Sequence, residues 1–325
     1  MEILLFFKSH WLAVSFLAPI LWAMINIVDV YFVDGIYKDE LDGTIISGLF
    51  QILPWPIILL LTGFDLKDVV GLGASDSGIV FLTLFSGILY ALSLFFYFKA
   101  LFKKNDVSLL QILWNLTIIA VPFLSFLFFR ETLSFMEYAG MAVVLFGASA
   151  LSFNTEIRNN FSKKYFGIML GAVLLLSLSM ILQGQAYDQL FNTHGSEGFW
   201  LGFFLFSLGS FTAGLFLAIF TKRNPFILIK KYYKIFIVVE GGSFFGIMAS
   251  QKALDIAPSA SFVAVIETFV PVFILVYSLI ILFLFSVLAK KKNEVVKRIY
   301  SEQIGGIWIK ILAIVIMAAG VYLMS

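Results

Sequence analysis

The stretch VSLLQILWNLTIIAVPFLSFLFF, residues 107–129, carries no charged side chain and is too long for a buried strand. A helix of about 20 mostly apolar residues crosses the hydrocarbon of a bilayer, whereas a membrane strand is about ten residues of alternating polarity. Continuous apolarity over this length therefore reads as a transmembrane helix. The same reading outward along the chain gives ten spans. They run from Trp11 to Phe32, Thr44 to Thr62, Gly78 to Phe98, Val107 to Phe129, Phe135 to Phe153, Tyr165 to Tyr187, Gly198 to Phe220, Tyr233 to Leu254, Ser259 to Leu288 and Ile304 to Met324. The first span follows only Lys8, is too long for a signal-peptide core and lacks a small-residue cleavage pattern, so it reads as a retained helix.

Composition agrees. Of 325 residues, 61% are hydrophobic and 13% charged, with a mean hydropathy of +1.00. That excludes a water-soluble globule and a disordered chain, because both would leave too much apolar surface in water. The net charge of +2 gives no basic field for nucleic acid. The absence of cysteine excludes disulfides, thiolate metal sites and a cysteine nucleophile. The two histidines, His10 and His194, sit at the edges of apolar runs, where an interfacial imidazole is the simpler reading than a metal ligand. No cofactor is expected, and no phosphate-binding Gly-rich loop is present. With every connection short, no soluble domain carries separate chemistry, so function must lie within the helices.

Among the 22 basic residues, only Lys8, Lys67, Arg130 and Lys252 fall on the side of the termini. The others gather opposite, including Lys99, Lys103 and Lys104, the segment Lys222 to Lys234 and the run Lys290 to Arg298. Basic short loops are retained in the cytoplasm. The charge pattern thus predicts cytoplasmic basic loops, termini outside and a multi-pass protein of the cell membrane. The run from Lys290 also reads as a topology anchor able to meet anionic lipid headgroups.

The two halves share a pattern. Lys99-Ala100-Leu101 recurs as Lys252-Ala253-Leu254, with Ser108 and Ser261 each nine residues beyond the lysine, and Val121-Pro122-Phe123 recurs as Val270-Pro271-Val272. Both blocks fall on the third and fourth helices of their halves. Five helices per copy is odd, so the copies enter the membrane in opposite senses. The expectation is two inverted five-helix repeats, 1–157 and 158–325, with a basic insertion near 289–302 in the second. Such repeats can form two gates around a midplane site.

With these residues in view, the chain resembles the drug/metabolite transporter superfamily, in its ten-helix EamA-type branch. The resemblance rests on Tyr97-Phe98-Lys99-Ala100-Leu101, Ser108, Val121-Pro122-Phe123, Arg130-Glu131-Thr132-Leu133-Ser134 and the segment Gly140 to Gly147. The family's third helix ends in an aromatic with Ala-Leu, its fourth contains proline, and a Glu-x-Leu-Ser turn opens its fifth. The match runs from Gly87 to Leu151. It weakens in the second half, where Pro258 and Pro271 remain but Glu302 is the nearest substitute for the turn glutamate. The resemblance implies a secondary transporter, and it implies cytoplasmic termini, opposite to the charge pattern.

An ionisable side chain in hydrocarbon is costly unless it meets a cavity or a partner. Glu267, four residues before Pro271, is the leading pathway residue, with Thr268 beside it. Glu267 and Glu240 are the candidate proton-coupling carboxylates, although a structural role is the simpler reading of Glu240. Asp29 reads as exposed to headgroups, three residues after Asn26. Ser108, Gln111 and Asn115 recur on one helical face with Trp114 beside it. Tyr90, Ser93 and Tyr97 form a second stripe, and Ser179 with Gln183 a third. Each stripe faces either a polar lumen or another helix. Pro54-Trp55-Pro56, Pro122 and Pro271 should bend their helices. Ser134 with Glu137 reads as a capping box.

The expectation is a carrier of a small metabolite, such as an amino acid or related solute, working by alternating access with coupling to protons through Glu267. The other readings are a flippase for a lipid-linked or amphipathic substrate and an integral-membrane enzyme. The enzyme would need convergent His, Asp or Ser groups near an interface, and none cluster. Partners are the solute and membrane lipids, with a homo-oligomer left open.

Overall fold

The computed structural model describes residues 10–104, 107–152, 163–288 and 307–324. Among them there is no strand, and ten helices are long and apolar enough to cross a membrane. In chain order the helices are α1 (Trp11–Gly35), α2 (Glu40–Phe50), α3 (Trp55–Thr62), α4 (Leu66–Ser75), α5 (Ser77–Lys104), α6 (Val107–Trp114), α7 (Thr117–Phe129) and α8 (Phe135–Ser152). They continue with α9 (Lys163–His194), α10 (Gly198–Phe220), α11 (Pro225–Ile256), α12 (Ala260–Glu267), α13 (Val270–Leu288) and α14 (Ile307–Met324). The second, fourth and ninth spans are built from two helices each, α2 with α3, α6 with α7, and α12 with α13.

The helix ends follow local chemistry. Side-chain oxygens of Asp39, Asp65, Asn224 and Ser259 accept backbone N–H groups from Leu41, Lys67, Phe226 and Ser261, which satisfies first-turn donors that have no intrahelical acceptor. Ser134 and Glu137 form the expected reciprocal cap at α8. Gly63 and Gly195 close α3 and α9 with φ of +69° and +58°. Two helices outrun the apolar windows. α9 continues to His194, and α11 begins at Pro225 and passes through a kink at Tyr232. Hydropathy marks only the part of a helix that lies in hydrocarbon, so polar extensions escape it.

The second span breaks at Gln51–Pro54 between α2 and α3, where Pro54 and Pro56 were expected to bend it. The ninth breaks at Thr268–Phe269, one residue ahead of the α13 turn that takes Pro271. In the fourth span the break falls earlier than the proline, at Asn115–Leu116, and Pro122 lies within α7. The run Lys290 to Arg298 and the division at residue 157 lie outside the described residues.

Large apolar side chains cover the outside, and polar ones are buried among the apolar core. Leu60, Phe123, Phe128 and Trp308 are exposed, while Ser86, Ser93, Gln183, Ser207 and Ser210 are buried. Hydrocarbon offers no hydrogen-bond partner, so hydroxyls and amides turn inward. The spans pack as α8 with α14, α5 with α9 and α10, α1 with α11, α12 and α13, α9 with α7, and α2 with α10. Small residues set several of these seams. A Cβ on Gly140 would lie 2.6 Å from the carbonyl oxygen of Gly320, so α8 and α14 touch backbone to backbone.

At the end of the bundle where α1 finishes and α2 begins, Arg223 ties two loops together. Its Nη1 donates to Asp39 Oδ1 and to Asp42 Oδ1, each at 2.7 Å, and its Nη2 also pairs with Asp39. Partial burial pushes the Asp39 carboxyl up, but the hydrogen bond and charge of Arg223 together with the backbone N–H groups of Leu41 and Asp42 outweigh it and hold Asp39 below the ordinary 3.8. A carboxylate with a lowered folded value stabilises the fold above its unfolded value, and that stability fades as pH falls through the folded one. Arg223→Gln should therefore cost no more than about 1 kcal/mol at pH 6, because the pair is partly solvated. The deficit relative to wild type should shrink below pH of about 4. Thermal unfolding in detergent between pH 3 and 7 measures both.

Candidate functional site

Inside the bundle, α1, α2, α5, α6, α9, α11 and the start of α13 enclose a cavity of about 80 Å³. Its polar lining is Asn26, Asp29, Ser47, Gln111, Glu240 and Ser243, and its aromatic walls are Trp22, Tyr90, Tyr97, Phe98 and Trp114. At 1.5 Å rise per residue, Asp29 lies about 9 Å from the end of α1, Ser47 about 10 Å into α2 and Glu240 about 12 Å beyond the Tyr232 kink. The cavity therefore sits in the half of the bundle that carries the basic loops.

Two carboxylates dominate it. Glu240 is buried on α11, and its Oε1 accepts hydrogen bonds from the Ser47 hydroxyl at 3.1 Å and the Tyr37 hydroxyl at 3.4 Å. Asp29 is buried on α1. The single hydroxyl proton of Tyr97 is shared between Asp29 Oδ2 at 3.2 Å and Asn26 Oδ1 at 3.0 Å. The two carboxylates lie within electrostatic reach of each other. Among the described residues each receives only neutral hydroxyl hydrogen bonds, and no Lys, Arg or His lines the cavity. The Gln111 side-chain amide is also buried, 4% exposed.

Rings close the cavity toward the basic loops. Phe32 packs edge-on against Tyr37 and against Phe236 with centroids 5.3 Å apart in both pairs, and Tyr37 meets Phe98 at 5.7 Å. The Arg223–Asp39–Asp42 cluster lies in the loops beyond this aromatic layer. Tyr97 packs edge-on against Trp114 at 5.4 Å, fixing the wall on the α6 side.

The opposite half is closed by direct hydrogen bonds. Ser250 donates to Glu267 Oε1 at 2.5 Å, the Tyr187 hydroxyl donates to Gln251 Oε1 at 3.1 Å, and Ser86 donates to Gln183 Oε1 at 2.5 Å. Ser179 donates to the Ser86 carbonyl at 2.8 Å, and the Gln183 amide reaches the Gly202 carbonyl at 3.4 Å.

The residues expected along a pathway thus fall in different places. Asn26, Tyr90, Tyr97, Gln111, Trp114 and Glu240 line the cavity. Glu267, Gln183 and Ser179 belong to the hydrogen-bonded layer in the other half. Ser93 donates to the Tyr90 carbonyl of its own helix, and Thr268, at the break, donates to the Val265 carbonyl of α12. Asn115 is buried at the break between α6 and α7, with both amide atoms unpartnered among the described residues. The Ser108 side chain lies outside the described residues.

Asp29 corrects the sequence reading. It is 7% exposed and faces the cavity instead of headgroups. The extra turn of α1 to Gly35, and the packing of Phe32 and Tyr37 on Phe236, cover the end where it sits. The signal available was its spacing from Asn26, three residues earlier on one helical face. Ser47, Trp22 and Ser243 were not foreseen at all.

The fold and buried polar core define a multi-pass α-helical membrane protein. Among solved structures, one described as a crystal structure of a protein is similar over 98% of both chains, with 13% sequence identity and a TM-score of 0.60. At that identity the likeness concerns the fold alone. No family model and no curated protein matches the chain.

Proposed function

We propose that the chain is a secondary transporter of the drug/metabolite type, moving a small solute by alternating access between two inverted five-helix repeats. The observation that carries this reading is the polar cavity, built from spans of both halves of the chain and confined to one half of the bundle, with a hydrogen-bonded layer opposite. A single state of a carrier has that asymmetry, since one gate is packed while the other borders the site.

Two further features support it. Two of the three broken spans stand at corresponding places, the fourth at Asn115–Leu116 and the ninth at Thr268–Phe269, while the break in the second has no counterpart in α10. The packing also exchanges when the halves are swapped. The first span packs on the eighth as the sixth packs on the third, the first on the ninth as the sixth on the fourth, and the second–seventh and fifth–tenth pairs map onto themselves. A flippase would need a lateral groove continuous with the polar cavity. The outer groove between α7 and α8, lined by Ile119, Phe123, Phe126 and Tyr138, is apolar and shares no lining residue with that cavity.

The chain has no native cysteine, so single cysteines test alternating access without knowledge of the solute. Cysteine at Ser47 reports the cavity half and cysteine at Ser250 the opposite half. A membrane-impermeant maleimide should label Ser47→Cys only from the basic-loop side and Ser250→Cys only from the other, both in folded protein. If Ser250→Cys reacts only after denaturation, the opposite half never opens and the carrier reading fails. The side from which Ser47→Cys reacts in cells gives the orientation, which the charge pattern makes cytoplasmic.

A further inference from the structure

The cavity's charge content specifies its occupant more narrowly than the fold does. A carboxylate offers about four lone-pair positions. Glu240 has one oxygen occupied by two hydroxyls, and Asp29 shares one tyrosine proton with Asn26. Two buried carboxylates within each other's field, with no basic side chain in the lining, are neutralised either by protons taken up from water or by a cation that enters the cavity.

Three solute classes can be compared against this lining. An anion would meet two like charges, and its remaining partners, such as the Gln111 amide and the Tyr90 hydroxyl, are neutral. The start of α13 reaches the cavity edge at Val270, but the N–H groups of Val272 and Phe273 are already given to the Phe269 carbonyl. They are not free to bind a carboxylate or phosphate. A neutral solute would leave the carboxylates holding protons and would draw only on neutral hydrogen bonds. A cation gains from both carboxylates and from the neighbouring rings of Trp22, Tyr90 and Trp114, since aromatic rings attract ammonium groups. The far end of the bundle has the same bias. Asp188 lies within electrostatic reach of Glu131 and of Asp255, and of these three only Asp255 has an ion-pair partner among the described residues, Lys252.

We propose that the cavity between Asp29 and Glu240 is a binding site for a short aliphatic amine, best occupied by one with two ammonium groups, held also by the surrounding aromatic rings. The cavity volume of about 80 Å³ limits the occupant in this conformation to a handful of heavy atoms. Two ammonium groups would neutralise both carboxylates, and a linear chain lets each reach its own. This deepens the carrier reading and rests on it for the crossing step, whereas binding is measurable by itself.

The test is equilibrium binding of radiolabelled 1,4-diaminobutane to purified protein in detergent, competed by unlabelled 1,4-diaminobutane, by 1,4-butanediol and by succinate. These are four-carbon chains with two cationic, two neutral and two anionic ends. Saturable binding displaced by the diamine alone is expected. Asp29→Asn and Glu240→Gln should each weaken it at least tenfold, with unchanged elution on size exclusion. No saturable diamine binding, equal competition by the diol or succinate, or wild-type affinity in the double variant would overturn the assignment. Competition in the wild type decides the matter even if a variant fails to fold. Diamine that binds but never enters proteoliposomes would sink the carrier reading and leave the site standing. Uptake of neutral or anionic solutes, with no diamine binding, would do the reverse.

Discussion

Gly87→Leu is expected to leave almost no monodisperse protein after extraction, with a loss of about 3 kcal/mol or more. Gly87 lies in the middle of α5 against α10. A Cβ there would fall on the carbonyl oxygen of Phe206 and 2.9 Å from the backbone nitrogen of Ser210. The contact is reciprocal, because a Cβ on Gly209 of α10 would fall on the Leu84 carbonyl of α5. Backbone atoms cannot rotate away as a side-chain tip can, so the two helices would have to part along the seam. Separation would also strain the neighbouring Ser86–Gln183 hydrogen bond, which joins α5 to α9. Gly241 is the control, since nothing lies within 4 Å of a Cβ built there. Gly241→Ala in α11 should be tolerated and, by removing a flexible residue from a helix, gain up to about 1 kcal/mol. Size-exclusion profiles and thermal unfolding in one detergent compare the two. A Gly87→Leu protein melting like wild type would mean that α5 and α10 do not meet at this seam.

Hydropathy made the ten spans legible because lipid imposes one strong rule, an apolar helix of fixed minimum length. It could not reveal what lies beyond the hydrocarbon, which is why α11 begins at Pro225 and not near Tyr233. The polar stripes were legible as faces but not as destinations. Gln111 and Trp114 turn to the cavity, whereas Ser179 and Gln183, at the same kind of spacing, turn to Ser86 and the Gly202 carbonyl. A helical period says which residues share a face and nothing of what that face meets. Asp29 shows the cost of this limit most clearly. Its distance from the helix end argued for water, but its environment is set by Tyr97, 68 residues away in sequence, and by Phe236 packed on Phe32 above it. Contacts of that range leave no local trace in a single chain.

Glu240→Gln and Glu267→Gln should separate solute binding from coupling. Glu240 is in the cavity with an oxygen free for a solute, so its loss should lower counterflow of 1,4-diaminobutane in proteoliposomes by about 100-fold. That corresponds to an ionic hydrogen bond near the upper end of its usual worth, about 3 kcal/mol. Glu267 stands in the opposite half with Ser250, outside this cavity but within electrostatic reach of Tyr90, which lines it. A carboxylate so placed would meet water when the opposite half opens and be covered when it closes, as a proton carrier must. Its replacement by glutamine should leave counterflow within about threefold of wild type, while uptake driven by a pH gradient falls by about tenfold, a change of about 1.4 kcal/mol. Gradient-driven uptake untouched by Glu267→Gln would take coupling away from this residue. If Glu240→Gln instead abolished only the gradient response and spared counterflow, the carboxylate at the cavity would be the proton carrier and the ammonium would have to rest on Asp29 alone.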